Sequence, residues 1–363
     1  MSYDLPTFRI VSIVQRLEEG ETLSKSELAK EFGVSPRTIQ RDMNARIGNI
    51  SPLEYENNAG WRKARAQKAK SHQSYSPVLE QMGKTMTQMQ LNLLRAQEVI
   101  ESAEALLIAT GAGMGVDSGL PDFRGTEGFW RAYPPMKRLG LQFHDMANPK
   151  WFHENPQMAW GFYGHRLNLY RSTEPHKGFS ILKKLTELKG DNFFIFTSNV
   201  DGQFQKASFD PDKIVERHGS IHYGQCVDRC SNDIWSNNDI NLTVDSDTFL
   251  ATSDLPKCKH CESLSRPNIL MFGDWGYLAE RTRIQQERLH EWIRKAVSKN
   301  LKITVIEIGA GKDVPTVRHF SEEMMQQYGA DLVRINPRDY DGPQGTIALP
   351  LGGLEALDKI FNS

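Results

Sequence analysis

The sequence predicts an α/β fold built on a parallel sheet and preceded by a separate helical domain. Beyond residue 103, short apolar runs alternate with helical segments, which is typical of a parallel sheet wrapped by helices. Residues 7–62 instead carry apolar side chains at helical spacing. The chain has 363 residues, which exceeds a typical single domain, so more than one unit is expected.

Composition indicates a globular protein with ample core material. Apolar residues make up 39% of the chain and charged residues 25%, with a net charge of -1. No run approaches the ~18 to 20 apolar residues of a membrane helix, and the N-terminus lacks a secretion signal. We therefore expect no membrane partner and a cytoplasmic location, in the bacterial cytosol or nucleoid. Reduced thiols are expected there, so the four cysteines are interpreted as ligands or core residues.

The N-terminal segment predicts three short helices in residues 1–62. The first ends at Gly20, and Ser24 caps the second with Glu27 in the capping-box position. After a turn at Gly33, Ser35 caps the third helix and Pro36 takes its first position. This spacing is that of a helix-turn-helix.

Residues 27–46 resemble the winged helix-turn-helix of bacterial repressors such as the DeoR family, with residues 50–61 as the wing. The resemblance implies that the third helix enters the major groove of double-stranded DNA, and it brings with it an expectation of a homodimer. An alternative is a protein-interaction module, because Asp42 and several glutamates dilute the positive charge. The implied DNA-contacting residues are Ser35, Arg37, Thr38, Gln40 and Arg41.

A basic, polar linker is predicted over residues 63–84. Residues 62–70 carry five basic side chains and no acid, and residues 71–77 are polar. Such a run is usually solvated, although next to a DNA-binding domain it would add salt-sensitive phosphate contacts. A helical pattern over residues 85–103 then begins a domain predicted to span 85–363.

Four apolar runs in this domain are predicted strands: 105–110, 193–197, 302–308 and 331–335. In such sheets the ligand crevice lies at the carboxyl ends of the strands. The first run continues into Gly111, Ala112 and Gly113, where backbone N–H groups can approach a phosphate. Val116 stands where a third glycine of the dinucleotide-binding pattern is expected, so a plain glycine turn is the alternative.

Two close cysteine pairs predict one structural zinc ion. Cys226 and Cys230 are followed, 27 residues later, by Cys258 and Cys261. Four thiolates form a closed tetrahedral site without a position for water, whereas buried free cysteines are the alternative. His222 and His260 are surplus to this set and are interpreted as surface or hydrogen-bonding histidines.

Three further motifs carry a family resemblance. The loop 119–124, the segment 197–202 with Asn199 and Asp201, and the segment 216–220 with His218 closely resemble the sirtuins, NAD-dependent protein deacylases. The motifs occur in the family's order, and the resemblance covers about residues 94–354. It implies a Rossmann-like parallel sheet with a small zinc-ribbon domain over the crevice, inserted at about residues 222–266.

The resemblance also implies residue roles toward NAD. His218 is the general base that activates a ribose hydroxyl, and its ordinary pKa of ~6.5 suits that role. Asn199 orients the ribose and a water, while Asp201 and the Val200 backbone hold the carboxamide. Phe123 covers the reactive carbon. The implied cofactor contacts are Gly111, Ala112, Gly113, Asp122, Phe123, Arg124, Ser198, Asn199, Val200, Asp201, Gly309, Ala310, Gly311 and Asn336.

Residues 266–274 resemble the segment that pairs with an acyl-lysine peptide, and they include Met271, Phe272 and Gly273. Tyr163 and Arg166 lie at i and i+3 of a predicted helix, so both face the same side. Together they would bind the carboxylate of a succinyl or malonyl group, as in some sirtuins. The alternative is an aromatic helix face with a surface arginine.

Three residues depart from the family pattern: Ser198 replaces a glutamine, Gly115 a small hydroxyl residue or alanine, and Gly311 a serine. Each change removes a polar contact, and a lost hydrogen bond is worth roughly 0.5 to 1.5 kcal/mol. The leading hypothesis is an NAD-dependent lysine deacylase carried to DNA. The alternatives are an NAD hydrolase or ADP-ribosyltransferase, and an NAD-sensing regulator with little turnover.

Overall fold

A computed structural model describes residues 25–31, 34–39, 87–122 and 126–361. The chain divides into two compact units, residues 1–84 and residues 85–363. In the first unit, helix α1 spans Lys25–Glu31, and residues 36–39 form a second helical turn. Ser35 caps this turn, since its Oγ accepts the backbone N–H of Thr38 at 3.1 Å. Leu28 and Ile39 are buried.

The second unit alternates strands and helices through most of its length. Helix α2 begins after a capping box in which Thr87 and Gln90 bond reciprocally. In chain order, the elements are α2 (Gln88–Glu101), β1 (Ala105–Thr110), α3 (Thr126–Ala132), α4 (Pro134–Arg138), α5 (Phe143–Met146), α6 (Trp151–Glu154), α7 (Pro156–Ser172), α8 (Lys177–Lys189), β2 (Phe193–Thr197), α9 (Gln203–Lys206), β3 (Ile214–Glu216), β4 (Gly219–Cys226), β5 (Trp235–Ser236), β6 (Ser265–Ile269), α10 (Glu280–Ser298), β7 (Ile303–Ile308), α11 (Thr316–Tyr328), β8 (Asp331–Ile335), β9 (Ile347–Leu349) and α12 (Gly353–Phe361). Short 3-10 helices cover Ala112–Ser118 and Pro211–Lys213.

Six strands form one parallel sheet in the order β3-β2-β1-β7-β8-β9. The α/β prediction is confirmed, and the four predicted strands are its central members. The edge strands β3 and β9 have three residues each and were not predicted. Chain order reverses between β1 and β7, which is where a parallel sheet opens a crevice for a ligand.

Helices cover both faces of the sheet because alternate side chains of each strand point to opposite sides. Leu106 and Ile108 pack into one apolar cluster with residues of α2, α8 and α12. Leu107 packs into another cluster with residues of α10 and α11. Every residue of β1 is buried, as expected for a central strand covered on two sides.

A second, three-stranded antiparallel sheet has the order β5-β4-β6. Its β4 begins directly after His218 and ends in Cys226, so one strand joins the crevice to the cysteine cluster. An aromatic-rich third apolar cluster lies beside it and includes Phe162 and Tyr163 from α7 with Met271 after β6. None of the described helices is long and apolar enough to span a bilayer.

Candidate functional site

A cavity of about 660 Å³ lies beyond the carboxyl ends of β1 and β2. It collects residues from seven separate segments of the second unit. They are Ala112, Leu120, Pro121, Gln142, Phe143, His144, Ala147, Tyr163, Arg166, Tyr170, Ser198, Asn199, Val200, Asp201, His218, Ile269, Leu270, Met271, Phe272, Asp313 and Val314. The structure thus brings together residues predicted separately as the base, the carboxamide site and the acyl site.

Two glycines bring the β1 and β7 loops into backbone contact behind this cavity. The N–H of Gly113 donates to the carbonyl of Gly309 at 3.0 Å. A Cβ on Gly113 would lie 2.7 Å from the Cα of Gly309, and Gly309 has a φ of +65°. Both positions therefore require glycine for packing. Ala112 alone of Gly111, Ala112 and Gly113 lines the cavity, so contact of the two glycines with a phosphate stays a prediction.

The segment Ser198–Asp201 follows β2 and forms one wall of the cavity. Asn199 is oriented by its own Nδ2, which donates to the Gly111 carbonyl at 3.0 Å. Its backbone N–H donates to Oγ1 of Thr197 at 3.1 Å. The carbonyl of Val200 accepts the N–H of Ile221 at 3.0 Å, which ties this wall to β4.

Asp201 is the carboxyl group of this wall. Its Oδ1 accepts the backbone N–H of Gln203 at 2.9 Å. Burial nevertheless raises the pKa of Asp201 to about 6, because loss of water disfavours the charged form. His222 supports the same residue, since its Nε2 lies 2.8 Å from the Asp201 carbonyl oxygen. His222 is thus a hydrogen-bonding histidine, as its sequence context predicts.

His218 lies between β3 and β4 on the cavity wall. Its carbonyl accepts the N–H of Leu270 at 2.9 Å, and its Nε2 lies 3.3 Å from Oγ1 of Thr316, the first residue of α11. Thr316 could not be predicted from the sequence, because it lies 98 positions from His218. An imidazole that opens onto a cavity and is held from two sides is suited to move a proton.

Arg166 is enclosed by aromatic rings at another side of the cavity. Its Nε and Nη2 donate to Oη of Tyr170 at 3.0 and 2.9 Å, and its guanidinium carbon lies within 6 Å of four rings. Burial by itself lowers the pKa of Arg166, but the neighbouring tyrosines, Tyr170 foremost, outweigh it and raise the pKa. Arg166 is therefore cationic although only 6% exposed. The alternative of a surface arginine is wrong.

Tyr163 lies one helical turn before Arg166 on α7 and is also buried. Burial raises its pKa to about 12, so its hydroxyl stays protonated. Within the part of the chain that the structure describes, this hydroxyl is buried without a hydrogen-bond partner. A buried donor without a partner is unfavourable by ~1 to 3 kcal/mol, so this hydroxyl is available to bind a polar group of a ligand. Tyr170 and Gln142 complete this end of the cavity and were not predicted.

Met271 and Phe272 line the cavity, and Gly273 follows with a φ of +66°. The turn is held from inside by Asp274, which pairs with buried Arg266 and accepts the N–H of Met271 at 3.2 Å. The N–H of Phe272 donates to the carbonyl of Ala147 at 2.9 Å. The predicted peptide segment thus forms part of the cavity mouth.

Asn336 and Asp122, two further residues predicted to bind the cofactor, make contacts within the protein. Asn336 is buried and joins two loops, because its Nδ2 donates to the Ala310 carbonyl at 2.8 Å and its Oδ1 accepts N–H groups of Arg338 and Asp339. Asp122 pairs with Arg338 at 2.6 Å. Contact of Asn336, Gly311 or Asp122 with NAD stays a prediction. Phe123 and Arg124 lie outside the described residues.

The four cysteines converge as predicted. Their Sγ atoms all lie within 4.8 Å of one another, with pairs at 3.5 and 3.7 Å. A tetrahedral zinc site with bonds of ~2.3 Å requires sulfurs about 3.8 Å apart, so this cluster fits the ion. His260 is instead paired with Asp233 at 2.6 Å and lies outside the cluster. Cys226, Cys230, Cys258 and Cys261 would hold one zinc ion, which stabilises the small sheet.

In the first unit, Ser35 and Arg37 are exposed and Thr38 is half-buried. Gln40 and Arg41 lie outside the described residues. Residues 9–62 match an HTH domain family, which confirms the helix-turn-helix prediction. The groove-contacting roles stay predictions.

Comparison with known proteins decides the family of the second unit. Residues 111–303, just over half of the chain, match the Sir2 family. The chain belongs to the Sir2 family. This sirtuin is 32% identical over 228 residues to an NAD-dependent protein deacylase of Leptospira interrogans serovar copenhageni, a match that covers 63% of this chain and 79% of that protein.

Two further relatives are also named as NAD-dependent protein deacylases or deacetylases. The sirtuin is 32% identical over 169 residues to an NAD-dependent protein deacylase of Aquifex aeolicus and spans 62% of its length. It is 26% identical over 270 residues to an NAD-dependent protein deacetylase of Caldivirga maquilingensis and spans 92% of it. Among solved structures, a mutant Sir2 homologue in complex with ADP ribose has 25% identity and a TM-score of 0.54, over 73% of this chain and 94% of that chain.

Proposed function

We propose that this protein is an NAD-dependent protein-lysine deacylase. The acyl group leaves lysine for the ADP-ribose part of NAD, and nicotinamide is released. The observation that carries the proposal is the convergence of His218, Asn199 and Asp201 with the Met271–Phe272 turn on one cavity. On this proposal, one wall of the cavity would serve both the coenzyme and the substrate peptide.

The residues divide the reaction between them. Asp201 and the Val200 backbone would bind the carboxamide of nicotinamide, and Asn199 would orient the ribose. NAD supplies a glycosidic bond that breaks when the acyl oxygen of the lysine side chain attacks the ribose carbon. His218 would then take a proton from a ribose hydroxyl, which attacks the acyl carbon. The C–N bond to lysine breaks, the amine leaves with a proton from His218, and one water molecule adds to complete O-acyl-ADP-ribose. The apolar walls keep water from competing with that hydroxyl.

The reaction can be tested directly by its product. Purified protein is incubated with NAD and acetyl-, succinyl- or malonyl-lysine peptides, and mass spectrometry is used to look for O-acyl-ADP-ribose. The His218→Ala variant should lose acyl transfer while retaining its fold. Full activity in that variant would refute the assignment of the base. Nicotinamide release that needs no peptide would identify an NAD hydrolase instead.

We also propose a preference for acidic acyl groups. A succinyl or malonyl carboxylate would accept a hydrogen bond from the buried Tyr163 hydroxyl and pair with the Arg166 cation. The measurement is the ratio of kcat/KM for succinyl-lysine to that for acetyl-lysine. Tyr163→Phe should lower this ratio roughly 12- to 160-fold, since a hydrogen bond to a charged group is worth ~1.5 to 3 kcal/mol. An unchanged ratio would contradict the preference.

NAD sensing with little turnover remains a second candidate because of the glycines at positions 115 and 311. A Cβ on Gly115 would lie 3.0 Å from Leu120, so packing accounts for this glycine. Because glycine has no side chain, positions 115 and 311 offer NAD fewer polar contacts than the residues usual in the family. Tight NAD binding by calorimetry, with no O-acyl-ADP-ribose from any peptide, would favour sensing over catalysis.

The first unit is proposed to bind double-stranded DNA and so to bring the deacylase to it. The support is the HTH family match over residues 9–62 and the exposure of Ser35 and Arg37. A pair of such units in a dimer would present two recognition helices, as repressors of this kind do.

A further inference from the structure

Trp275 is 94% exposed, the largest exposed fraction among the bulky apolar residues that the structure describes. No ring or cation contacts its indole within those described residues. Tryptophan is usually highly buried, because its ring removes a large apolar area from water. Its position in solvent therefore needs a reason.

The loop that carries Trp275 is fixed on both sides. The buried carboxylate of Asp274 accepts the N–H of Met271 at 3.2 Å and that of Gly276 at 3.0 Å. Arg266 pairs with this carboxylate, and the carbonyl of Gly276 accepts from Nε2 of Gln225 at 2.8 Å. The exposure of the indole is thus a property of a well-anchored turn. Because the backbone of the turn is already fixed, a partner that binds the indole does not have to order the loop.

The turn also places Trp275 beside the cavity mouth. Met271 and Phe272 line the cavity, and Phe272 is 42% exposed there, with its ring edge-on to Phe143 and His144. Trp275 follows Phe272 by three residues, a span of at most ~10 Å. A lysine whose acyl group enters the cavity brings its neighbours in sequence past this mouth, at ~3.3 Å per residue.

We propose that Trp275 binds a large apolar side chain of the protein substrate, two to four residues from the acyl-lysine. This inference rests on the proposed deacylase function and adds a determinant of substrate sequence to it. Tryptophan is enriched among the residues that dominate binding at protein interfaces, where a flat ring covers a partner side chain. Arg229 donates to the Trp275 carbonyl at 3.4 Å and places a cation nearby, so a basic side chain is disfavoured at the same position.

The test compares peptides that differ in one flanking residue. Acyl-lysine peptides carry phenylalanine, leucine, glycine or lysine, in turn, at each of the four positions on either side of the modified lysine. The kcat/KM of each peptide is measured with the full-length protein, with Trp275→Ala and with Trp275→Phe. Leu188→Ala is the matched control, because Leu188 is 80% exposed on α8 and is not among the cavity-lining residues. A capped single acyl-lysine, which has no neighbours, serves as the short substrate.

With the unaltered protein, one position should favour phenylalanine or leucine over glycine by about tenfold, which corresponds to ~1.4 kcal/mol. Trp275→Ala should abolish this preference, Trp275→Phe should retain part of it, and Leu188→Ala should leave it unchanged. Turnover of the short substrate should be the same in all four proteins.

A preference that survives in Trp275→Ala would overturn the inference and leave the deacylase function intact. An equal loss of activity on every substrate, the short one included, would mean that Trp275 maintains the fold, and this too would overturn it. A change of oligomeric state in Trp275→Ala, seen by light scattering, would assign the indole to a second copy of the chain. Failure of the unaltered protein to deacylate the short substrate would instead refute the proposed function.

Discussion

Nε2 of His218 lies 3.3 Å from the hydroxyl oxygen of Thr316. The two residues reach this distance from opposite parts of the sheet, since His218 follows β3 and Thr316 begins α11 after β7. The hydroxyl holds the imidazole in one orientation at the cavity wall. Thr316 is therefore a positioning residue that acts through the proposed base.

We expect Thr316→Val, which keeps the side-chain shape, to slow acyl transfer by about 2- to 12-fold, the equivalent of one hydrogen bond. Exchange of free labelled nicotinamide into NAD reverses only the first step, which needs no base, so its rate should be unchanged. Thr316→Ser should restore acyl transfer. Equal losses in exchange and transfer would show that Thr316 supports only the fold.

The raised pKa of Asp201 predicts a pH-dependent stability. Between pH 4 and pH 6 the folded protein retains a proton on Asp201 that the unfolded chain releases, since burial raises this pKa to about 6. As the pH rises from 4 to 6, the free energy of unfolding should therefore fall by about 3 kcal/mol in total. Asp201→Asn removes the titration, so relative to the unaltered protein it should be more stable at pH 7.5 than at pH 4.5.

Urea unfolding at the two pH values measures this difference. The exposed Asp239 provides the control, and Asp239→Asn should show no such pH-dependent gain. If the free energies of unfolding of Asp201→Asn and of the unaltered protein change with pH in parallel, Asp201 is not a buried carboxyl that retains its proton. In a separate assay, the deacylation rate of Asp201→Asn should fall, because the proposed carboxamide site is altered.

The cysteine cluster predicts one zinc ion per chain. Cys258→Ser should lose the metal and lower the melting temperature, because the buried thiolate is one of four ligands that hold the small sheet. His260→Ala should keep the metal, since that imidazole pairs with Asp233. Elemental analysis of the purified proteins gives the number of zinc ions per chain. Zinc loss in His260→Ala with retention in Cys258→Ser would reverse the ligand assignment.

The helix-turn-helix predicts binding of duplex DNA that weakens as salt rises. Arg37→Ala combined with Arg41→Ala should abolish binding in fluorescence anisotropy, because both side chains would contact phosphates or base edges. Arg294→Ala with Lys299→Ala removes two exposed cations from α10 and its end, and should leave binding unchanged. If the double variant at Arg37 and Arg41 binds duplex DNA as tightly as the unaltered protein, the helix after Ser35 does not contact the DNA.

The sequence predicted the centre of the sheet better than its edges. Six consecutive buried residues in β1 leave a continuous apolar run, whereas β3 and β9 contribute only three residues each and give no such signal. Chain-local motifs were equally informative. The two cysteine pairs predicted the cluster that the structure brings together, because each pair spans only a few residues. The Asn199–Asp201 segment lines the cavity, and its role toward NAD stays a prediction.

Contacts between distant segments could not be predicted in this way. Thr316 contacts His218 from 98 residues away in the chain, a pairing that local spacing does not indicate. Tyr170 lies only four residues after Arg166 on α7, so helical spacing could have predicted that pair. The side chain of Asn336 joins two loops, a role that the sequence did not indicate, and its contact with a ribose stays a prediction. Such roles depend on which strand ends meet, and tertiary packing decides that.

The approach of Gly113 to Gly309 has a consequence for how mutants at these glycines are interpreted. A single methyl group at either position would push apart two loops that belong to different halves of the sheet. Weak coenzyme affinity in Gly113→Ala would then report a displaced backbone and would be no measure of any phosphate contact. Because Asn199 donates to the carbonyl of Gly111, a displaced β1 loop would also move the wall that carries Asn199.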